Sequence, residues 1–170
     1  MADYKPTTED KKCVFCEIVK GKIKTPGIFW EDNEFLAFLS VWPNTGGFTI
    51  VIPKSHYGSD VLDLQNDILQ KFILAAKAVS QILIKHFEDV GRVGLIMEGT
   101  GIDHAHVKLF PMHGTNYMKK GEWRQYHSSV NKYFETYEGY ISSNDGPKAD
   151  EGQLVKLAKE LRKFSTSLEQ

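Results

Sequence analysis

The 170-residue sequence predicts an α+β fold, and three observations carry that expectation. Five short runs have the apolar or alternating pattern of β-strands and are bounded by turn-forming residues. One long stretch between the third and fourth runs repeats apolar residues at helical spacing. A second helical stretch closes the chain after a segment rich in Ser, Asn, Gly and Pro. A chain of this length forms one domain, with or without an appendage, and can bury a real core.

Residues 1–12 are polar and read as a flexible arm. Cys13-Val14-Phe15-Cys16 follows, then a short helical turn from Glu17 that Gly21 closes. Ile28-Phe29-Trp30 is the first strand, Glu31 to Glu34 a turn, and Phe35 to Leu39 the returning strand. After a Trp42–Gly47 loop, the apolar run Phe48 to Pro53 suits a strand buried on both faces. Lys54-Ser55-His56 then opens a loop that ends near Asp63.

From about Gln65 to Asp89, Ile68, Leu69, Phe72, Ala75, Ala76, Val79, Ile82, Leu83 and Phe87 form one broad stripe, read as core. Val93 to Met97 is the fourth strand, and Glu98 to Ile102 turns the chain into the fifth, Asp103 to Pro111. In that strand His104, His106 and Lys108 alternate with Ala105, Val107 and Leu109. Three nitrogenous side chains therefore share one face, with neighbouring Cα atoms about 6.6 Å apart. Met112 to Glu122 reads as loop, Trp123 to Tyr140 as partly helical, and Ser142 to Pro147 as a linker. Asp150 caps a last helix with Gln153 as its capping-box partner. Leu154, Leu157, Ala158, Leu161 and Phe164 give that helix an apolar face for packing on the domain or across a dimer. The expected organisation is an arm at 1–12, a domain at 13–112 and a partly helical extension at 113–170.

Hydrophobic content of 41%, charged content of 25% and a formal charge of −1 are ordinary, so nothing pulls the whole chain toward nucleic acid or a membrane. Lysines cluster at Lys11, Lys12, Lys20, Lys22 and Lys24 and again at Lys119 and Lys120, as a solvated surface or as the rim of a phosphate site. Two cysteines, a polar start and no apolar run of membrane-spanning length suit a reducing, cytoplasmic setting.

A row of two imidazoles and an ammonium suits an anionic substrate such as phosphate, a metal, or both; an edge strand facing solvent has the same pattern. Cys13 and Cys16 form a redox dithiol or half of a tetrahedral metal site. The strand-to-helix setting of a thioredoxin-like motif is absent from this stretch, which favours metal. His56 and His104 would complete a closed four-ligand site of structural type. Two unpaired thiols and two unrelated histidines fit the spacing equally well, and both readings stay open. His86, His113 and His127 read as packing or surface residues.

Cys-x-x-Cys before Glu17-Ile18-Val19, then Glu31-Asp32, Leu36-Ala37-Phe38, Val51-Ile52-Pro53-Lys54-Ser55-His56 and His104-Ala105-His106-Val107-Lys108-Leu109 follow in an order that resembles the histidine triad (HIT) superfamily of nucleotidyl hydrolases and transferases. The resemblance spans roughly Cys13 to Pro111. It implies a five-stranded antiparallel sheet packed with helices, paired as a homodimer. It implies that His106 attacks the α-phosphorus of a nucleotide, oriented by a backbone carbonyl, and that water or another acceptor resolves the nucleotidyl-histidine. Neutral imidazole is a good nucleophile near pH 7, and covalent catalysis divides one hard step into two. The resemblance also implies a structural zinc ion on Cys13, Cys16, His56 and His104, and a nucleoside pocket lined by Phe15, Ile18 and Val41. Trp123 is the tail residue placed to reach a dimer partner's site.

The chain departs from the family pattern at three places. Lys108 replaces the third histidine; a lysine holds a phosphate oxygen as a point charge, but with an ordinary pKa of about 10.4 it donates a proton poorly at neutral pH. Ser40 stands where an acidic residue holds the ribose hydroxyls. The glycine-rich segment before the triad is shortened, leaving the backbone at Gly99 and Gly101 and the Thr100 hydroxyl as substitutes. The expected function is a nucleotide hydrolase or nucleotidyltransferase acting on a dinucleoside polyphosphate, nucleoside phosphoramidate or nucleotide sugar. The alternative is a zinc-stabilised nucleotide-binding or dimeric interaction module with little turnover; a redox role for Cys13 and Cys16 stands third.

Overall fold

The predicted strand runs assemble into one sheet whose two faces are both covered. A computed structural model describes residues 12–124 and 148–165. Its elements are α1 (Val14–Val19), β1 (Ile28–Glu31), β2 (Phe35–Leu39), β3 (Thr49–Pro53), α2 (Asn66–His86), β4 (Val93–Ile96), β5 (Val107–Pro111) and α3 (Glu151–Ser165). The five strands are antiparallel in the order β1-β2-β3-β5-β4. Strand β5 therefore inserts between β3 and β4, the two strands that α2 connects.

Alternation along each strand divides the side chains between two cores. Phe35, Ala37 and Leu39 of β2, Val51 of β3, and Val107 and Leu109 of β5 meet the buried stripe of α2. Leu36 and Phe38 of β2 and Ile50 and Ile52 of β3 face the other way, onto Phe15 and Ile18 of α1. This two-sided burial is why β2 and β3 read as uninterrupted apolar runs, with every residue of both buried.

The short helix begins at Val14, three residues before the expected turn, the expected loop ends in a 3-10 turn at Val61–Asp63, and two further differences lie at and after β5. The alternation from Asp103 predicts a strand starting there, whereas β5 begins at Val107. The β3–β5 register pairs Val51 with Val107, which sets Ala105 opposite Pro53. Proline has no N–H to give, and the Pro53 carbonyl accepts instead from His104 Nε2 at 2.9 Å, so the ladder stops. Ala105 N–H turns to the Tyr57 carbonyl, 2.9 Å away. The faces nevertheless persist through residues 104–106, since Ala105 is buried in the α2 core and His104 and His106 lie on the α1 side. The second difference is the stretch expected as loop after Pro111, which holds a 3-10 turn at Asn116–Lys120. Thr115 docks it by accepting from Gly91 N–H at 3.0 Å, and Tyr117 is buried.

Helix α3 takes the first of the two placements open to the tail. Leu154, Ala158 and Leu161 are buried in the same core as α2 and β1, so this helix packs on the domain. Asp150 Oδ1 accepts from Gln153 N–H at 2.8 Å, the expected cap. Residues 1–11, most of the expected arm, lie outside the described residues, as do 125–147, which include most of the partly helical stretch and the linker. Among the described residues no helix is long and apolar enough to cross a membrane.

Leu161 is fully buried between α3 and the sheet. Leu161→Ala is therefore expected to cost about 2–5 kcal/mol in urea denaturation. A loss below about 1 kcal/mol, the range of a surface substitution, would show that α3 does not share the core.

Candidate functional site

Four elements converge on the α1 side of the sheet. Cys13 caps the N-terminus of α1 with an extended backbone, and Cys16 follows inside the helix, so both thiols point from one short element. The loop after β3 delivers His56, and the segment leading into β5 delivers His104. Their ligand atoms all lie within 4.8 Å of one another. His56 Nδ1 and His104 Nδ1 are 3.3 Å apart, and the sulfur–nitrogen separations are 3.3, 3.5 and 3.6 Å.

Those distances pass a direct test for zinc. With Zn–N of about 2.0–2.1 Å and Zn–S of about 2.3 Å, tetrahedral angles put two nitrogens about 3.3 Å apart and a nitrogen and a sulfur about 3.6 Å apart. The tautomer agrees as well. His104 Nε2 faces the Pro53 carbonyl, which can only accept, so Nε2 carries the proton and Nδ1 turns its lone pair into the cluster. Burial pushes His104 down to about 4, so the ring is neutral near pH 7. Burial and the Cys13 thiol beside it push the Cys16 thiol up to about 11. Without a cation the Cys16 thiol resists ionisation; a divalent ion reverses that.

Beside the cluster lies a cavity of about 140 Å³, lined by Phe15, Ser40, Trp42, Phe48, Ile50, Thr100, Gly101, Ile102, His106 and Lys108. His106 is buried, and its Nδ1 donates to the carbonyl of His104 at 2.8 Å. A carbonyl cannot donate, so the proton sits on Nδ1 and Nε2 keeps its lone pair. Burial lowers the His106 pKa and Lys108 adds to the shift, which keeps the ring neutral near pH 7. Phe15 sits edge-on to both His104 and His106, with 5.6 Å between ring centroids in each case, and so packs the Cys/His cluster against the cavity.

Of the residues expected at a binding pocket, Phe15, Ser40, Thr100 and Gly101 line this cavity together with His106 and Lys108. Ile18, Val41 and Gly99 are not among its lining. Ile18 packs in the smaller core, one helical turn beyond the cavity wall formed by Phe15. Val41 packs against the α2 core instead, and its carbonyl accepts from Ala149 N–H at 3.0 Å, just before α3. Gly99 works from behind: its φ is +65°, and a Cβ there would stand 2.8 Å from the Ser59 carbonyl oxygen. Ser40 accepts from Trp42 N–H at 3.1 Å, so one of its lone pairs is spent on the loop that forms the rim.

Sequence reasoning missed the aromatic and aliphatic walls Trp42, Phe48, Ile50 and Ile102, and it missed Glu98. Ile50 was within reach, because it shares a face with Ile52, but only the β3–β5 register shows that it lies beside Lys108. Glu98 forms an ion pair with Lys108, and both side chains are largely buried, 15% and 16% exposed. Thr100 Oγ1 also reaches the same Glu98 oxygen, at 3.5 Å.

The family model described as the HIT domain matches residues 22–115. The chain is 28% identical over 106 residues to the adenosine 5′-monophosphoramidase of Saccharomyces cerevisiae, covering 62% of this chain and 66% of that protein. In structure it is similar to a hypothetical histidine triad nucleotide-binding protein from Sulfolobus tokodaii, with a TM-score of 0.66, 23% identity and coverage of 92% of this chain and 94% of that one. It is also similar to a zinc-bound histidine triad family protein from Mycobacterium smegmatis, with a TM-score of 0.59, 19% identity and coverage of 92% and 95% respectively. At these identities the two structures show the shared fold.

The donor set predicts that the purified protein carries a tetrahedrally bound metal ion, seen by native mass spectrometry. Cys16→Ser is expected to lose the ion and lower the melting temperature, and chelation of the wild type to do the same. Equal melting temperatures with and without metal would show that the cluster is no binding site.

Proposed function

The chain belongs to the HIT domain family, and from that premise we propose that it is a nucleotide hydrolase or nucleotidyltransferase acting at the α-phosphate through a covalent nucleotidyl-His106. The observation that carries this reading is the His106 tautomer. With Nδ1–H committed to the His104 carbonyl, the Nε2 lone pair is available in the cavity. In the first step Nε2 bonds to the α-phosphorus while the bond to the leaving group breaks, and the leaving group departs with the bonding electrons. The positive charge that develops on the ring is eased through Nδ1–H by the His104 carbonyl. In the second step water or another acceptor attacks the phosphorus and loses a proton, and His106 leaves as neutral imidazole. Lys108 bears on the phosphate oxygens as a cation, with the Thr100 hydroxyl and the Gly101 backbone beside it. Phe15, Phe48 and Ile50 offer an apolar wall to the nucleoside.

Substrates of this class are dinucleoside polyphosphates, nucleoside phosphoramidates and nucleotide sugars; the named activity of the yeast relative supports the class. In the same reading Cys13, Cys16, His56 and His104 hold zinc. Bound there, zinc would pin α1 to the loop after β3 and to the entry of β5, a structural role, since four protein ligands leave no position for substrate. A homodimer is supported by β4, one of the two outer strands of the sheet, where Leu95 is exposed and Met112 and Trp123 are exposed close by. Arg92, just before β4, lies over the Trp123 ring at 5.1 Å. A nucleotide-binding module with little turnover is the second reading, favoured by the Glu98 carboxylate that engages Lys108.

Wild type and His106→Ala incubated with nucleotides of the three classes decide between these readings. Release of nucleoside monophosphate, and a nucleotidyl adduct in the intact mass, are expected for the wild type and should fall by at least about a thousandfold in the variant. Equal release from both proteins would sink the His106 mechanism; nucleotide binding without release would favour the module. Leu95→Asp is expected to shift the sedimentation of the wild-type dimer to that of a monomer, and an unchanged profile would remove the β4 edge as the interface.

A further inference from the structure

We propose that Glu98 sets the leaving-group preference of this cavity. Among nucleotides cleaved at the α-phosphate it favours those whose leaving group is weakly basic and carries little negative charge, and it disfavours polyphosphate leaving groups relative to them. The inference rests on the His106 reading above and adds the role of a residue to which that reading assigns no part in substrate choice.

Lys108 follows His106 by two positions on the same face and lines the cavity with it. Its ammonium ion-pairs with the Glu98 carboxylate, and the two side chains are 16% and 15% exposed. Thr100, also in the cavity lining, reaches the same carboxylate oxygen at 3.5 Å. The backbone makes this pairing direct. Ile96, the last residue of β4, sits opposite Lys108 in the sheet, so Glu98 leaves the strand end two residues later beside that ammonium.

Two consequences follow from the chemistry. First, the subsite beyond His106 presents a cation and an anion together, in surroundings where bulk water screens little. A leaving group with several negative charges meets the Glu98 carboxylate at short range and finds Lys108 already engaged. A singly charged group takes part of the ammonium's donor capacity without that opposition. Second, an ammonium held by a carboxylate is a positioned charge, and lysine is a weak acid at neutral pH. Lys108 therefore gives the leaving group little help by proton donation, and a group that departs with the electron pair of its bond to phosphorus as a weak base is favoured.

The test compares the wild type with Glu98→Gln and Glu98→Ala. Inorganic pyrophosphate, titrated calorimetrically, is expected to bind Glu98→Gln at least about tenfold more tightly than wild type, because a like charge is removed at contact range. Adding Lys108→Gln to that variant should abolish the gain. In turnover, the ratio of kcat/KM for ATP cleaved at the α-phosphate to that for adenosine 5′-(4-nitrophenyl) phosphate should rise by a similar factor in Glu98→Gln. Equal or weaker pyrophosphate binding by both Glu98 variants overturns the proposal. A measurement on the wild type alone decides the matter should neither variant fold: pyrophosphate binding is expected to be weak and nearly independent of salt. Tight binding that collapses as salt rises would show Lys108 acting as an unopposed cation and would also overturn it. Should the wild type cleave neither nucleotide, the catalytic reading fails by itself, and the pyrophosphate comparison still decides the role of Glu98.

Discussion

The imidazole of His104 is clamped between the Pro53 carbonyl on one side and the two thiols and His56 on the other, while its own carbonyl accepts from His106. Each of these contacts constrains the next. The Pro53 carbonyl holds the proton on Nε2 and so aims the Nδ1 lone pair at the thiols and His56. The backbone that presents this ring leaves the β3 ladder at Ala105, which frees the His104 carbonyl for His106. A substitution at His104 therefore removes the ring that joins the thiols to the Pro53 carbonyl, while the backbone carbonyl that orients the candidate nucleophile stays in the chain. The cluster and the cavity are two ends of one hydrogen-bonded unit, with Phe15 wedged against both rings.

The sheet makes that unit possible by being buried on both faces. Had the α1 face been open to water, the histidines would sit in a polar, solvated row. Instead α1 and its flanking residues bury them, and desolvation keeps both rings neutral. Neutral rings are what a metal ligand and a nucleophile both require. The opposite face, filled by α2 and α3, supplies the packing that holds β5 in place against this demand.

Charge inside the cavity is governed by pairing. A lone lysine on a largely buried strand face would be expensive to desolvate, and Glu98 offsets that cost. The same pairing changes what the residue at the third position can do. A histidine there could accept and donate a proton; this lysine, held by a carboxylate, contributes position and a field that its partner largely cancels.

Much of this was legible in the sequence. Period-two alternation placed His104, His106 and Lys108 on one face and Ala105, Val107 and Leu109 on the other, and of the helical stripe Phe72, Ala75, Ala76, Val79, Ile82 and Leu83 are buried, with Ile68, Leu69 and Phe87 half-buried. These are local properties, because side-chain direction follows from backbone period alone. The grouping of Cys13 with His104, 91 residues apart, could be written as a ligand set from residue type but required chain closure to become a distance. What local pattern could not supply depends on register and on contacts between elements. The Pro53 carbonyl that ends the ladder at Ala105, the turn of Val41 toward α3, and the docking of α3 in the core all follow from which strand lies beside which. The Glu98–Lys108 pair is the clearest case. The sequence alone determined that a cation occupies the third position, whereas the β4–β5 pairing of Ile96 with Lys108 decided that a carboxylate would stand against it. A residue's own chemistry is written in the chain; the charge it presents to a ligand depends on the neighbours that folding brings to it.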